Sequence, residues 1–211
     1  MKATPIPVNL TLPVGPLRSK GVHVSALIRG IATETGVLDP KWAEELSLVD
    51  VRTITDPTAI LRISIGLAWE DFYISKILCA EGVTDHPGET KVDGVYMTAD
   101  GESLDVIITP EDPIGTSHIV IHEIKCSYKS IRTVGELEDC WMWLAQTKAY
   151  CKGANTRFAK LHVLFLCGNY QFPIQPQLKC WLIEFDQLEI DENWELLREY
   201  RDYRMNKEDR K

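Results

Sequence analysis

Hydrophobic and polar residues follow two different spacings along the chain, and these spacings predict its helices and strands. Helical spacing covers 26–35, 41–46, 58–80, 134–152 and 187–205, whereas alternating or continuous apolar runs predict strands over 92–98, 104–109, 118–126, 160–167 and 178–185. The longest helix is bracketed by Asp56-Pro57, a typical start, and by Gly82, a typical end. This order predicts an α/β (mixed α+β) fold in which helices flank a central mixed β-sheet.

The turn and breaker residues predict how the chain is organised. Asp100-Gly101 is a residue pair typical of a two-residue hairpin, so we expect it to join two antiparallel strands. Residues 1–22 are rich in proline and predict an irregular N-terminal arm. Residues 23–211 are then expected to form a single domain, because a chain of 211 residues suffices for one core of ordinary size.

The composition narrows the class of protein. Hydrophobic residues make up 45% and charged residues 26%, which excludes a mostly disordered chain. No apolar run approaches the roughly 18 residues that cross a bilayer, and the N-terminus lacks the apolar core of a signal peptide. We therefore expect a cytoplasmic protein with no membrane partner. The six cysteines form no CxxC pair, which predicts buried, reduced thiols.

The most informative strand is the run from His118 to Cys126. Side chains alternate between the two faces of a strand, so Glu123 and Lys125 project from the same face. Two charges at the end of an apolar strand are costly unless they pair or hold a metal ion. A carboxylate can bind Mg²⁺ while a lysine orients water or stabilises phosphoryl charge. A structural ion pair is the alternative interpretation.

A second carboxylate is expected near this strand. Asp100, at the predicted turn, is the candidate that would face Glu123. Asp105, which lies two strand residues after the turn, is a rival for the same role, and Asp93 is a weaker one. In the alternative interpretation Asp100-Gly101 is only a hairpin turn.

Two helices add polar residues to this set. Glu70 falls within the apolar stripe of the long helix, which is out of place for a helix that merely packs, although a register error would leave it in solvent. Gln146 and Tyr150 are four residues apart and therefore share one face of the helix that follows the strand. An ordinary helix surface is the alternative for this pair.

Taken in order, Glu70, Asp100, the motif Glu123-Ile124-Lys125 and the pair Gln146 to Tyr150 resemble the PD-(D/E)xK nuclease superfamily. The resemblance is to its RecB-like and YqaJ (lambda-exonuclease-like) phage branches, and it covers roughly residues 58–152. It implies a restriction-endonuclease-like core and hydrolysis of DNA phosphodiester bonds that depends on Mg²⁺ or Mn²⁺. Ala99 stands where the family's motif has proline, a departure that removes no ligand.

The resemblance also implies a role for each matching residue. Asp100, Glu123, the Ile124 backbone carbonyl and Glu70, directly or through water, would hold the metal. Lys125 would position the attacking water, and Gln146 and Tyr150 would orient that lysine or the DNA backbone. The chain has no cysteine after Cys180, so the iron–sulfur cluster of some RecB-like members is not expected.

Polar residues after the strand are candidates for DNA contacts. Ser127, Lys129, Ser130 and Arg132 form a polar, locally basic strip, and such residues commonly bind phosphates. A solvated turn is the alternative. His118 and His122 share a face but lie about 13 Å apart, too far to share one ion, so we expect both to be structural.

The expected function is that of a metal-dependent deoxyribonuclease, an exonuclease of recombination, repair or phage DNA processing in a bacterial or phage-infected cell. DNA is the expected partner. Because lambda-exonuclease-like relatives form rings, a homo-oligomer is possible. A recombination or replication protein is a possible further partner. One alternative is a non-catalytic nuclease-like module that binds DNA or protein. Another is a protein-binding domain that uses its acidic C-terminal helix, in which the motif residues would not converge in space.

Overall fold

The computed structural model describes residues 19, 21–39, 56–108, 113–132, 134 and 136–208. The predicted helix over 41–46 and most of the predicted arm lie outside this part of the chain. Within the described part, no helix is long and apolar enough to cross a membrane.

The described elements follow the predicted order with two differences. Two short strands were not predicted, and a hairpin stands where a single strand was predicted over 92–98. The helices are α1 (Val24–Glu34), α2 (Pro57–Tyr73), α3 (Trp141–Ala154) and α4 (Gln187–Glu208). The strands are β1 (Val22–His23), β2 (Thr84–Asp85), β3 (Thr90–Val92), β4 (Val95–Met97), β5 (Gly101–Ile107), β6 (Thr116–Ser127), β7 (Phe158–Phe165) and β8 (Gln177–Glu184). Beyond α2 the chain continues through a π-helical turn (Ile74–Leu78) and a 3-10 turn (Cys79–Glu81), and a further 3-10 turn (Leu137–Asp139) precedes α3.

A five-stranded mixed sheet forms the centre of the molecule, in the order β2-β5-β6-β7-β8. Strands β6 and β7 are parallel, and the other neighbours are antiparallel. The sheet is covered on both faces: Ile124 packs with Tyr73 and Ile74 of the α2 segment, whereas Ile121 packs with residues of α1, α3 and α4. The predicted fold, a mixed sheet flanked by helices, is confirmed.

The expected hairpin at Asp100-Gly101 is wrong. The two-residue turn lies at Asp93-Gly94, both with positive φ (47° and 82°), and it joins β3 to β4 in a small sheet of order β1-β4-β3. Asp-Gly satisfies such a turn at either place, so the local pattern does not choose between them. Gly101 instead begins β5 in the main sheet, where a side chain would lie 2.8 Å from Val83.

The cysteines follow the expectation only in part. Cys140 and Cys151 are buried, as predicted. Cys79 and Cys180 are exposed, which corrects the prediction for them. Cys180 lies on β8, the last strand of the sheet, and Cys79 begins the 3-10 turn after α2, so both lie at margins of the fold.

Two neighbouring strands separate near the middle of the main sheet. The pairing of β5 with β6 ends where Gly101 meets His122, but β6 continues beside β7 as far as Ser127. The last five residues of β6 therefore have no β5 partner in the ladder. This fork is where the charged end of β6 lies.

Candidate functional site

Asp100 fills the fork between β5 and β6. Its Oδ2 accepts a hydrogen bond of 2.7 Å from the backbone amide of Ile124. That bond takes the place of a ladder bond, since a continued β5–β6 register would put Ala99 opposite Ile124. The aspartate is thereby fixed to the strand that carries Glu123 and Lys125, so one of its oxygens has a structural role.

Glu123 and Lys125 lie on the face of β6 that α3 covers. Glu123 is fully buried, and the Lys125 ammonium donates to its Oε1. The same ammonium lies 3.3 Å from Gln146 Oε1, and Gln146 Nε2 donates to the Tyr150 hydroxyl at 2.6 Å. Glu123, Lys125, Gln146 and Tyr150 thus form one continuous chain of polar contacts from β6 to α3.

Glu70 approaches the same place from α2. Its side chain is partly exposed, and its charge raises the pKa of both Asp100 and Glu123, so it lies within electrostatic reach of them. The structure therefore places Asp100, Glu123 and Lys125 at one fork, with Glu70 in electrostatic range of them. The protein-binding alternative required the motif residues to stay apart, and these do not.

Burial and mutual repulsion govern the ionisation of this group. Burial raises the pKa of Asp100 well above its usual value, and the charges of Glu123 and Glu70 add to the rise. Burial likewise raises the pKa of Glu123, although the Lys125 ammonium opposes the shift. Burial also favours the neutral amine of Lys125, but the charges of Glu123 and Asp100 outweigh it and raise the Lys125 pKa. The lysine therefore stays charged, but its charge does not cancel the effect of burial on the pKa of Asp100 and Glu123.

One oxygen of Glu123 has no partner, and this indicates whether a cation fits here. Glu123 Oε2 is buried without a hydrogen-bond partner, which is costly for a carboxylate. Ile124 directs its carbonyl to the same edge of β6 as its amide, that is, towards Asp100. These hard oxygens suit Mg²⁺ or Mn²⁺.

The number of side-chain ligands is small. Among the described residues, no group of three or more His, Cys, Asp or Glu side chains is gathered closely enough to hold an ion. Mg²⁺ commonly binds through one or two carboxylates and several waters, and Asp100 and Glu123 supply two carboxylates.

The two rival aspartates are engaged elsewhere. Asp105 shares the α2 face of the main sheet with His122, the face opposite Glu123, and it binds Lys160 at 2.6 Å. Asp93 lies in the β3–β4 turn and accepts from the Trp194 indole at 2.8 Å. The register of the main sheet therefore favours Asp100 as the partner of Glu123.

The two histidines of β6 lie outside this group. His118 packs against the Phe158 ring at 4.5 Å. His122 is buried on the α2 face, bonded to His162 at 3.1 Å, and His162 in turn reaches the Tyr73 hydroxyl at 3.2 Å. Burial and the Lys160 charge lower the His122 pKa to about 4, and burial and His122 lower the His162 pKa to about 3. This neutral network fits the structural role that we expect.

His86 is a site residue that the sequence analysis missed. Its Nε2 lies 3.5 Å from Glu70 Oε1, its Nδ1 contacts Asp85, and its backbone amide donates to the Asp100 carbonyl at 3.1 Å. The hydrogen bond to Glu70, with help from Asp85, raises the His86 pKa to about 9. In the sequence, His86-Pro87-Gly88 marks only a turn, and no local pattern places it beside Asp100.

The polar strip after β6 divides into two kinds of residue. Ser127 and Ser130 are buried, and their hydroxyls accept from the backbone amides of Lys129 and Arg132, each at 3.1 Å. Lys129 and Arg132 are exposed. The serines therefore shape the turns, and the cations are the groups that solvent or a ligand can reach.

The arrangement of helices and strands is similar to that of a solved exonuclease. No family model and no curated protein matches the sequence. The fold is similar to that of an alkaline exonuclease, LHK-Exo from Laribacter hongkongensis, with a TM-score of 0.50, 14% identity and coverage of 85% of each chain. A phage related exonuclease from Haemophilus somnus 129PT gives a TM-score of 0.47 at 14% identity over 89% of this chain and 96% of that one. At such identities the likeness is one of fold.

Proposed function

We propose that the protein is a metal-dependent deoxyribonuclease that hydrolyses phosphodiester bonds at the fork between β5 and β6. The observation that carries the proposal is the convergence of Asp100 and the buried Glu123–Lys125 pair at this fork. A structural ion pair does not explain why one Glu123 oxygen is buried without a partner, whereas a bound cation would satisfy that oxygen.

Asp100 and Glu123 are the proposed metal ligands, joined by the Ile124 carbonyl and, directly or through water, by Glu70. When bound, Mg²⁺ or Mn²⁺ supplies Lewis acidity: it lowers the pKa of a coordinated water and polarises the phosphate. Because burial and repulsion raise the pKa of both buried carboxylates, bound protons compete with the ion for them.

Lys125 is the proposed cationic group for the phosphate. Its raised pKa keeps the ammonium protonated, so it acts as a hydrogen-bond donor and not as a base. Gln146 accepts from that ammonium and is itself held by Tyr150. The two α3 residues thus hold Lys125 where it can orient the attacking water and stabilise charge that develops on phosphate oxygens.

We further propose exonuclease activity, in recombination, repair or phage DNA processing. The fold similarity to the alkaline exonuclease LHK-Exo supports this choice over an endonuclease. Lys129 and Arg132 are proposed to contact phosphates, since both are exposed beyond the end of β6. A homo-oligomer and a recombination or replication partner protein are compatible with this role.

The test is digestion of linear and circular DNA, double- and single-stranded, with Mg²⁺, Mn²⁺ or EDTA. We expect metal-dependent loss of linear DNA, abolished by Glu123→Gln. The matched control is Glu184→Gln, since Glu184 is also a strand glutamate in an ion pair, with Arg157 at 2.7 Å. It should digest DNA normally.

Other outcomes of this digestion are equally informative. Cutting of circular DNA would make the protein an endonuclease. Absence of cleavage with either metal by the folded protein would contradict the proposal and favour a nuclease-like module that only binds DNA or protein.

A further inference from the structure

The loop between β7 and β8 exposes large apolar side chains. Phe172 at its tip is 96% exposed, and Tyr170 and Ile174 are each 55% exposed. We call residues 168–176 the aromatic loop. Exposed apolar clusters of this kind mark places where a protein meets a partner.

The aromatic loop is held in place by its ends. The Ile131 amide donates to the Gly168 carbonyl at 2.9 Å, and the Tyr170 hydroxyl donates to the Tyr128 carbonyl. A side chain at Gly168 would overlap the Gln175 carbonyl, so the two ends of the loop are in contact. The exposed tip therefore stands on a fixed base beside the segment that follows β6.

Cationic groups surround this base. The Arg62 guanidinium lies over the Tyr128 ring at 5.2 Å, and Lys129 and Arg132 are exposed. In the amide orientation that satisfies both groups, Gln171 Oε1 accepts from Arg132 Nη2 at 2.9 Å. The chain carries a net charge of −8, so three cations at the base of one loop are a local concentration of positive charge, which suits a polyanion.

The aromatic loop also lies close to the proposed catalytic site. Tyr128 follows Lys125 by three residues, a span of about 10 Å along an extended chain. Arg62 precedes Glu70 by eight residues on α2, about 12 Å along the helix. An extended single strand that crosses the site can therefore reach the loop.

We propose that the aromatic loop stacks on the bases of unpaired DNA beside the cleavage site, while Arg62, Lys129 and Arg132 hold the adjoining phosphates. The proposal rests on the proposed function and defines its substrate further, as DNA with an unpaired stretch at the site. Every base offers an apolar face to an aromatic side chain, so this contact needs no sequence preference. The surrounding positive charge is what favours DNA as the occupant over an apolar protein surface.

The test measures binding in the Glu123→Gln background with EDTA, so that no cleavage intervenes. Fluorescence anisotropy would report the Kd for a short single-stranded DNA and for the same strand with abasic sites at successive positions. Loss of one stacked base costs about tenfold in affinity. We therefore expect Phe172→Ala to raise the Kd for the normal strand about tenfold and to leave the Kd for the strand abasic at the stacked position unchanged. Phe172→Trp should restore the affinity for the normal strand.

Ile114→Ala is the matched control. Ile114 is 90% exposed and lies beyond the opposite end of β6, which is about 40 Å long for its 12 residues. This variant should bind both strands as the parent does.

Three outcomes would overturn the proposal. These are unchanged binding by Phe172→Ala, an equal loss on normal and abasic strands, and no binding of single-stranded DNA by the parent. The digestion experiment judges the nuclease separately: a protein that cuts DNA but is indifferent to Phe172→Ala keeps its proposed function and loses only the loop's role.

Discussion

Polar groups are buried on both faces of strand β6, and the two faces differ in whether these groups have hydrogen-bond partners. On the α2 face, His122 and His162 are neutral and bonded to each other, in a chain that ends at Tyr73. On the α3 face, Glu123 and Lys125 are in contact, yet one carboxylate oxygen has no partner. The two histidines of the α2 face satisfy each other's hydrogen bonds, as expected of a stabilising network, whereas Glu123 on the α3 face keeps a buried oxygen that a bound cation would satisfy. The comparison supports the proposed site on the α3 face.

The sharpest way to test this difference is Lys125→Ala. Removing a preorganised donor from a reaction site costs about 10²–10³-fold in rate, so we expect cleavage to be lost in ordinary assays. The fold should survive, because Glu123 is able to take up a proton once its counter-charge is gone. Rates on linear DNA and circular dichroism would show both effects, and normal cutting would refute the site assignment.

His162→Ala is the corresponding change on the other face. It removes a buried ring and leaves His122 and Tyr73 without their shared partner, so we expect a loss of about 3 kcal/mol in the free energy of unfolding. The cleavage rate of the folded protein should stay near the parental value. Urea denaturation measures the first quantity, and a loss of activity without loss of stability would break the division between the faces.

Acid should distinguish the two faces as well. The histidine pKa values lie near 4 and 3 in the folded protein against 6.5 for the free group, so the unfolded chain binds more protons as pH falls below about 6.5. Each histidine then lowers stability by about 2 kcal/mol between pH 7 and pH 5. We expect the stability gap between the parent and His162→Ala to shrink over this range. A constant gap in thermal unfolding would contradict the neutral network.

Gln146→Ala should have the smallest effect. Gln146 lies behind Lys125 and orients it, so we expect roughly a tenfold lower cleavage rate with little change in substrate affinity, the cost of one charge-assisted hydrogen bond. Steady-state kinetics would separate kcat from KM. A rate equal to that of Lys125→Ala would place Gln146 in contact with the reacting groups instead.

Local patterns predicted one part of the site and not another. Alternation along β6 placed Glu123 beside Lys125, and helical spacing placed Gln146 beside Tyr150, because both relations depend only on the period of one element. The place of His86 beside Glu70 and Asp100 depends on which chain segments meet, and no local pattern gives that. The exclusion of Asp105 required the register between β5 and β6. Asp100 was predicted for a hairpin that the chain forms instead at Asp93-Gly94, so the predicted turn was wrong, while its place near Glu123 comes from its bond to the Ile124 amide.

The hydrogen bond from the Ile124 amide to Asp100 means that the two oxygens of this side chain have different roles. One oxygen bonds to the β6 backbone, and the other is the proposed metal ligand, so the pairing of β5 with β6 would set the distance between the proposed ligands before any metal binds. The proposed site would then depend on the length of the aspartate side chain. Lengthening it by one methylene, as in Asp100→Glu, would retain the charge but displace either the strand or the ligand, because one carboxylate can no longer reach both.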